Sequence, residues 1–228
     1  MTWGAVVVAA GRGTRLGGPK QLIELAGTPM AGWSIRTFAE MEEIGEIAVA
    51  TEPDLVEPMR ELCARVAPKR DVRVVPGGAT RRESVRRGLS AISAACDAVL
   101  VHDGARPLVR AHDVRAGMRE VRAGRASLLA VPAVDTIKLV DAASRRVVET
   151  LDRKRLWAAQ TPQFAAAADL RAAHERAERD AIEATDDAAL LEAIGVEVVV
   201  VPSTSENFKV THPDDVARAQ AILRERVA

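Results

Sequence analysis

The sequence has no net charge: Lys+Arg and Asp+Glu are equal at 32 each over 228 residues. Non-specific nucleic-acid binding needs a basic surface, so no nucleic-acid partner is expected. No apolar run approaches the ~18 residues of a membrane helix, so no membrane partner is expected either. The first strand is predicted within about five residues of Met1, without a charged n-region and cleavage site, which predicts a cytoplasmic protein. Cysteine is scarce. Cys63 and Cys96 each fall among apolar positions of a predicted helix, and no Cys-x-x-Cys occurs. Reduced core cysteines are expected, not a disulfide framework or a redox motif. There is no internal repeat or low-complexity tract. The hydrophobic share of 48% supports a sizeable core, in one large α/β domain or two small ones.

Two familiar phosphate motifs are missing as well. The dinucleotide fingerprint Gly-x-Gly-x-x-Gly fails at Leu16, and the next predicted strand ends near Thr51, about 40 residues on, where about 20 is wanted. The nucleoside-triphosphatase loop fails after Gly18, where Pro19 precedes Lys20-Gln21. Proline has no N–H to offer a phosphate.

What remains is a third kind of phosphate loop. Val6 to Ala10 is an apolar run suited to a strand buried on both faces. It opens into a loop with Gly11, Gly13, Gly17 and Gly18 and the cations Arg12, Arg15 and Lys20. Glycine lets a ligand approach main-chain N–H groups, and the cations complement an anion. The chain has only five lysines, and Lys20 and Lys209 both fall in motifs treated below.

Hydrophobic periodicity predicts alternating strands and helices. Strands are expected at 46–51, 72–75, 98–101, 127–134 and 196–201, and helices from Met30, over 56–66, over 85–96 and over 113–123. Further helices are expected over 165–179, 186–193 and 214–227, with an extended segment at 205–211. This is an α/β pattern, a Rossmann-like, mostly parallel sheet flanked by helices, in one domain spanning 1–228. Ligands in such sheets sit beyond the carboxyl ends of strands. The loops Gly11–Lys20, Gly77–Arg82 and Asp103–Arg106 all follow strands. The pattern breaks over 135–153, which reads as a β-hairpin arm. A two-stranded ribbon is marginal alone, and a second subunit exchanging its arm would support it.

Each candidate has a plain reading beside a functional one. Arg15 and Lys20 are either solvated cations or phosphate ligands that meet charge building on a phosphoryl group. Asp103 either caps a turn or holds Mg²⁺, which typically takes one or two carboxylates plus substrate phosphates. Ser84 is either a helix-surface hydroxyl or a contact to a base or ribose. His174 reads as helix surface, and the four histidines show no zinc-like spacing.

The ordered set of motifs carries a resemblance. Ala9-Ala10-Gly11-x-Gly13-x-Arg15-Leu16 with Pro19-Lys20-Gln21 resembles the loop of sugar-phosphate nucleotidyltransferases. Gly77-Gly78-x-x-Arg81-x-x-Ser84, His102-Asp103-x-Ala105-Arg106-Pro107, Asp135-Thr136-x-Lys138, Asp152-Arg153-x-x-Leu156-Trp157, Gln160-Thr161-Pro162-Gln163-Phe164, Thr185-Asp186-Asp187 and Asn207-Phe208-Lys209-Val210-Thr211 follow in order. Together they resemble the 2-C-methyl-D-erythritol 4-phosphate cytidylyltransferases of the non-mevalonate isoprenoid pathway, over essentially the whole chain.

The resemblance implies a homodimer that joins CTP to a polyol phosphate with Mg²⁺ or another divalent cation. It places Arg15 and Lys20 at the transition state, and Ala9, Ala10, Gly11, Gly13, Gly78, Ser84 and Gly104 at the nucleotide. It puts Asp103 beside the metal and the sugar phosphate, and Arg106 and Thr161 in the sugar-phosphate pocket. Thr136 and Arg153 would come from the partner's arm, with Arg153 and Lys209 positioning the attacking phosphate. Gly104 stands where Ala is common, Ala79 where a polar or acidic residue is common, and Val8 for a frequent Pro; the loop between Arg15 and Lys20 is short. No fused cyclodiphosphate synthase is expected after the closing helix. A ribitol-5-phosphate cytidylyltransferase shares these motifs, and a non-catalytic nucleotide-binding regulator could use the same fold.

Overall fold

The computed structural model of the chain describes residues 1–11, 13, 17–182 and 184–227. The first apolar run forms β1 (Trp3–Ala9), buried along nearly its whole length. A short antiparallel pair follows, β2 (Glu24–Leu25) and β3 (Thr28–Pro29), leading into α1 (Met30–Ala39). Then come β4 (Ile44–Thr51), α2 (Val56–Val66), β5 (Val72–Pro76), α3 (Arg81–Ala91), β6 (Ala98–Asp103), α4 (Ala111–Arg122) and β7 (Ala126–Pro132). An outlying ribbon of β8 (Lys138–Val140) and β9 (Val147–Thr150) interrupts the alternation. The chain closes with β10 (Trp157–Ala166), α5 (Ala167–Arg179), α6 (Asp187–Ala193), β11 (Val198–Pro202) and α7 (Pro213–Val227).

Seven strands form one sheet in the order β11-β7-β10-β6-β1-β4-β5. All neighbours are parallel except β10, which runs antiparallel to both β6 and β7. The mostly parallel α/β architecture is as the sequence predicts, and its strands read as apolar runs because helices cover both faces. Phe38, Met59, Val114 and Met118 fill the layer under α1, α2 and α4. Val85, Leu89, Leu170 and Leu190 fill the opposite layer under α3, α5 and α6. A third, smaller core of Leu25, Met30, Leu108, Val210, Ala219 and Leu223 seats α7 against β2 and the start of α1. It also fixes the segment after β6 to the segment carrying Lys209, where the Val210 N–H donates to the Ala105 carbonyl at 2.8 Å.

The structure corrects three expectations. The strand β10 was not foreseen, because Pro162 and three buried polar side chains, Gln160, Thr161 and Gln163, obscure its apolar character. The ladder shifts register between Ala159 and Gln163, so Pro162 falls where the pairing is already irregular. Helix α3 ends at Ala91 and Cys96 lies in a turn beyond it, though both cysteines are buried and free as expected. Residues 205–211 open on a turn, where the Asn207 N–H donates to the Thr204 carbonyl at 3.2 Å, and so are not extended throughout. Among the described residues, no helix is long and apolar enough to cross a membrane.

Candidate active site

Parallel strands β1, β4, β5 and β6 end on the same edge of the sheet, and the segments that follow them enclose a cavity of about 480 Å³. Ala9, Ala10 and Gly11 line one wall, Gly78, Ala79 and Ser84 another, and Lys20, Asp103, Ala105 and Lys209 also face it. Gly13 shapes the first loop. It has φ +61°, and a Cβ there would lie 2.1 Å from the Gly18 carbonyl oxygen. Lys20 opens a 3₁₀ turn over Lys20–Leu22 and donates to the Val210 carbonyl at 3.3 Å. Arg15 lies outside the described residues.

The second loop is folded by its own side chains. Thr80 caps α3 by accepting from the Glu83 N–H at 3.1 Å, and Glu83 accepts from the Ala79 N–H at 2.8 Å. Ser84 is buried, not on the helix surface. Its hydroxyl accepts from the Gly78 N–H at 3.0 Å and donates to the Thr80 carbonyl at 2.9 Å. Its first task is thus to shape the loop that faces the cavity. Gly77 allows that loop to meet the first, since a Cβ there would stand 2.4 Å from Cβ of Ala10. Gly104 lies against β1, its N–H bonded to the Val8 carbonyl at 2.9 Å, and Ala105 is the residue that lines the cavity.

Asp103, at the end of β6, is the charged centre. Lys209 Nζ lies 2.7 Å from its Oδ2 and Arg81 Nε 3.2 Å from its Oδ1. Burial alone would raise its pKa. The charges of Arg81 and Lys209 more than offset that and hold it well below the usual carboxylate range. Beyond Arg81 the chain of charges continues to Asp187 at 2.9 Å, and from Asp187 to Nε2 of His174 at 2.9 Å. Burial disfavours the cation of Arg81, but the two carboxylates raise its pKa above the ordinary value. His174, expected on a helix surface, is 2% exposed. It faces the core of α5 and α6, where Asp187 gives its ring a partner.

A second cavity of about 230 Å³ adjoins, and its lining brings together Arg106, Thr161 and Lys209 with Arg81, Asp103 and Asp186. Arg106 donates to the Asn207 carbonyl at 2.8 Å. Thr161 Oγ1 accepts from the Asp103 N–H at 3.0 Å and lies 3.1 Å from His102 Nδ1. Nε2 of His102 lies 3.0 Å from the Arg106 carbonyl, which can only accept, so Nε2 carries the proton and Nδ1 accepts from the Thr161 hydroxyl. Burial pushes the His102 pKa down to about 4, so the ring is neutral and serves as a fixed strut under the site. Thr136 and Arg153 line neither cavity. Both are exposed on or beside the ribbon, where Arg153 donates to the Val134 carbonyl at 3.1 Å.

Sequence reasoning gave no role to Arg81, Asp187 or His174. Their signal was only that Arg81 and Asp187 stand in two of the ordered motifs. The pairing itself joins α3, α5 and α6 across about 100 residues and has no local pattern. Among the described residues no three His, Cys, Asp or Glu side chains converge as a ready metal cage. Asp103 and Glu52 are the carboxylates that line the larger cavity, and one or two carboxylates are what Mg²⁺ typically takes from a protein, its remaining oxygens coming from substrate phosphates and water.

A glycine-rich loop at the carboxyl edge of a parallel sheet, with cations gathered around one ionised carboxylate, makes a site for phosphate groups, and comparison with known proteins places the chain among the nucleotidyltransferases. The family model for 2-C-methyl-D-erythritol 4-phosphate cytidylyltransferase matches residues 4–225. The chain belongs to that family. The cytidylyltransferase of Streptomyces coelicolor is 44% identical over 97% of this chain and 85% of its own length. That of Halalkalibacterium halodurans is 39% identical over 99% of each. The crystal structure of 4-diphosphocytidyl-2C-methyl-D-erythritol synthase from Anaerococcus prevotii superposes with a TM-score of 0.88 at 28% identity, covering 98% of this chain and 96% of that one. The cytidylyltransferase of Thermus thermophilus gives 0.81 at 32% identity, covering 98% and 100%.

Proposed function

We propose that the protein transfers the cytidylyl group of CTP to 2-C-methyl-D-erythritol 4-phosphate, giving 4-diphosphocytidyl-2-C-methyl-D-erythritol and pyrophosphate. The observation that carries this is the shared wall of the two cavities. Arg81, Asp103 and Lys209 border both, so a nucleotide in the larger and a sugar phosphate in the smaller meet at one cluster of charge.

A phosphate oxygen of the polyol phosphate attacks the α-phosphorus of CTP in line, a new P–O bond forms, and the bond to the β-phosphate bridging oxygen breaks. The nucleophile is already an anion at neutral pH, so no general base is required. The barrier lies in bringing two polyanions together, where repulsion at contact amounts to several kcal/mol even at the effective dielectric near a protein surface. Arg15, Lys20 and Lys209 offset that repulsion, while the loops at Ala9–Gly11 and Gly78–Ser84 hold the nucleotide in line. Mg²⁺ or another divalent cation, held by Asp103 and substrate oxygens, supplies further charge neutralisation when bound. Arg106 and Thr161 shape the sugar-phosphate cavity.

The arm supports a homodimer. Leu139, Val140, Val147 and Val148 on the ribbon are 45–61% exposed, an apolar surface that a bare two-stranded ribbon would not present to water without a partner. In the dimer the partner's arm brings Thr136 and Arg153 to the polyol phosphate. Arg153→Ala is expected to raise KM for the polyol phosphate about tenfold or more with little change for CTP. A mixed dimer of Arg153→Ala with Lys20→Ala is expected to regain activity at one of its two sites. No recovery in a verified mixed dimer would show that the arm does not cross.

Substrate identity is tested by pyrophosphate release over the four nucleotides and two polyol phosphates. Turnover with CTP and methylerythritol phosphate is expected. Preference for ribitol 5-phosphate would move the protein to the related cytidylyltransferase, and CTP binding without turnover of either would make it a nucleotide sensor.

A further inference from the structure

The charges behind Asp103 lead away from both cavities to two buried residues that the transfer reaction does not use. Asp187 is 1% exposed at the first position of α6, and His174 is 2% exposed on α5. A buried carboxylate costs several kcal/mol in lost hydration unless partners return it, so packing alone does not favour one here. Its partners are arranged on both sides: Oδ1 takes Nε2 of His174 at 2.9 Å and Oδ2 faces Arg81 Nη1 at 2.9 Å.

The backbone of Asp187 is held as firmly. Gln163 Oε1 accepts from the N–H groups of Asp187 and Ala188, both at 2.9 Å, and Gln163 Nε2 donates to Asp186 at 2.9 Å. Gln163 lies on β10, the strand whose Thr161 accepts the Asp103 N–H. Asp187 and Asp103 are therefore both registered to one strand, and Arg81 spans them. A guanidinium is rigid and planar, so the ion pair of Nη1 with Asp187 sets where Nε meets Asp103. Lys209 holds the other Asp103 oxygen at 2.7 Å.

Resting on the cytidylyltransferase reading of the site, we propose that Asp187 is a positioning residue. It seats Arg81 so that the guanidinium fixes Asp103 at the wall between the two cavities, and His174 braces it from behind. With Asp187 neutralised, Arg81 loses one of its two anchors and Asp103 loses its defined orientation.

Asp187→Asn keeps the shape and removes the charge. It is expected to lower kcat about 10²-fold, the scale of a misplacement near 1 Å, with KM and Kd for CTP within about threefold, because the Thr80 and Ser84 bonds that fold the Gly78–Ser84 backbone are made without Asp187. Arg81→Lys, which keeps charge without the fork, is expected to give a similar kcat loss. The double variant is expected to be no worse than either single, since both break one link. Losses that multiply, or a folded Asp187→Asn with kcat within about threefold of wild type, would overturn the proposal. Should Asp187→Asn not fold, His174 carries the test. His174→Gln retains a donor near Nε2 and is expected to keep kcat, whereas His174→Leu is expected to lose about tenfold. Equal kcat in those two overturns the proposal. Wild-type enzyme in the same assay separates the two levels: no turnover by wild type refutes the cytidylyltransferase reading, and an active wild type with unaffected variants refutes this inference alone.

Discussion

Lys20→Ala is expected to lower kcat by roughly 10²–10³ without unfolding the protein. The side chain faces the larger cavity from the start of the 3₁₀ turn, directly after the glycine-rich loop. Its ammonium is a compact point charge, suited to the oxygens of the α-phosphate as negative charge builds there. The backbone of that turn is fixed independently of the charge. The N–H of Leu22 donates to the Pro19 carbonyl at 3.0 Å, and the N–H of Met30 to the Ile23 carbonyl at 2.8 Å. Truncation should therefore remove transition-state stabilisation and leave the melting temperature nearly unchanged. Near-wild-type kcat in a folded variant would remove Lys20 from the chemistry.

Asp103→Asn is expected to damage both catalysis and stability. The carboxylate organises Arg81 and Lys209 and is the residue proposed to hold the divalent cation, so kcat should fall at least about 10²-fold. Removing one member of a buried ion pair typically costs about 3–5 kcal/mol. The lower end is expected here, since Arg81 retains Asp187 and Lys209 can reach water. The pH dependence has a definite sign. The folded carboxyl has a depressed pKa, so its contribution is fully present above the unfolded value of about 3.9 and is lost as pH falls through the folded value. Denaturant titrations should show the gap between wild type and variant wide at pH 7 and narrowing below about pH 4. A gap independent of pH would mean that the ionised form is not what stabilises the site.

The order of strands and helices was legible because apolar runs and helical periodicity follow burial directly. Residues Val56–Val66 fall where their spacing puts them, and the pattern break at Asp135 marks the ribbon. The strand β10 was hidden because it is buried yet polar. Gln160 receives the Asn207 amide, Thr161 braces Asp103, and Gln163 clamps α6. Those polar residues serve the site, and so they mask the apolar pattern that would have revealed the strand. Much of the site was legible too, because parallel sheets place ligands at strand carboxyl ends and the loops after β1, β5 and β6 stand out for glycine and charge. The ring behind Asp103 was not. A buried histidine on α5 looks like any polar helix residue until α6 brings Asp187 to it.

The most direct test follows oxygen through the transfer. With ¹⁸O in the phosphate of 2-C-methyl-D-erythritol 4-phosphate, CTP and divalent cation, mass spectrometry and ³¹P NMR locate the label in the products. The account predicts ¹⁸O in the bridge of the new diphosphate and none in the pyrophosphate, because the polyol phosphate oxygen attacks the α-phosphorus. Label in the released pyrophosphate, or a diphosphate with an unlabelled bridge, would contradict it.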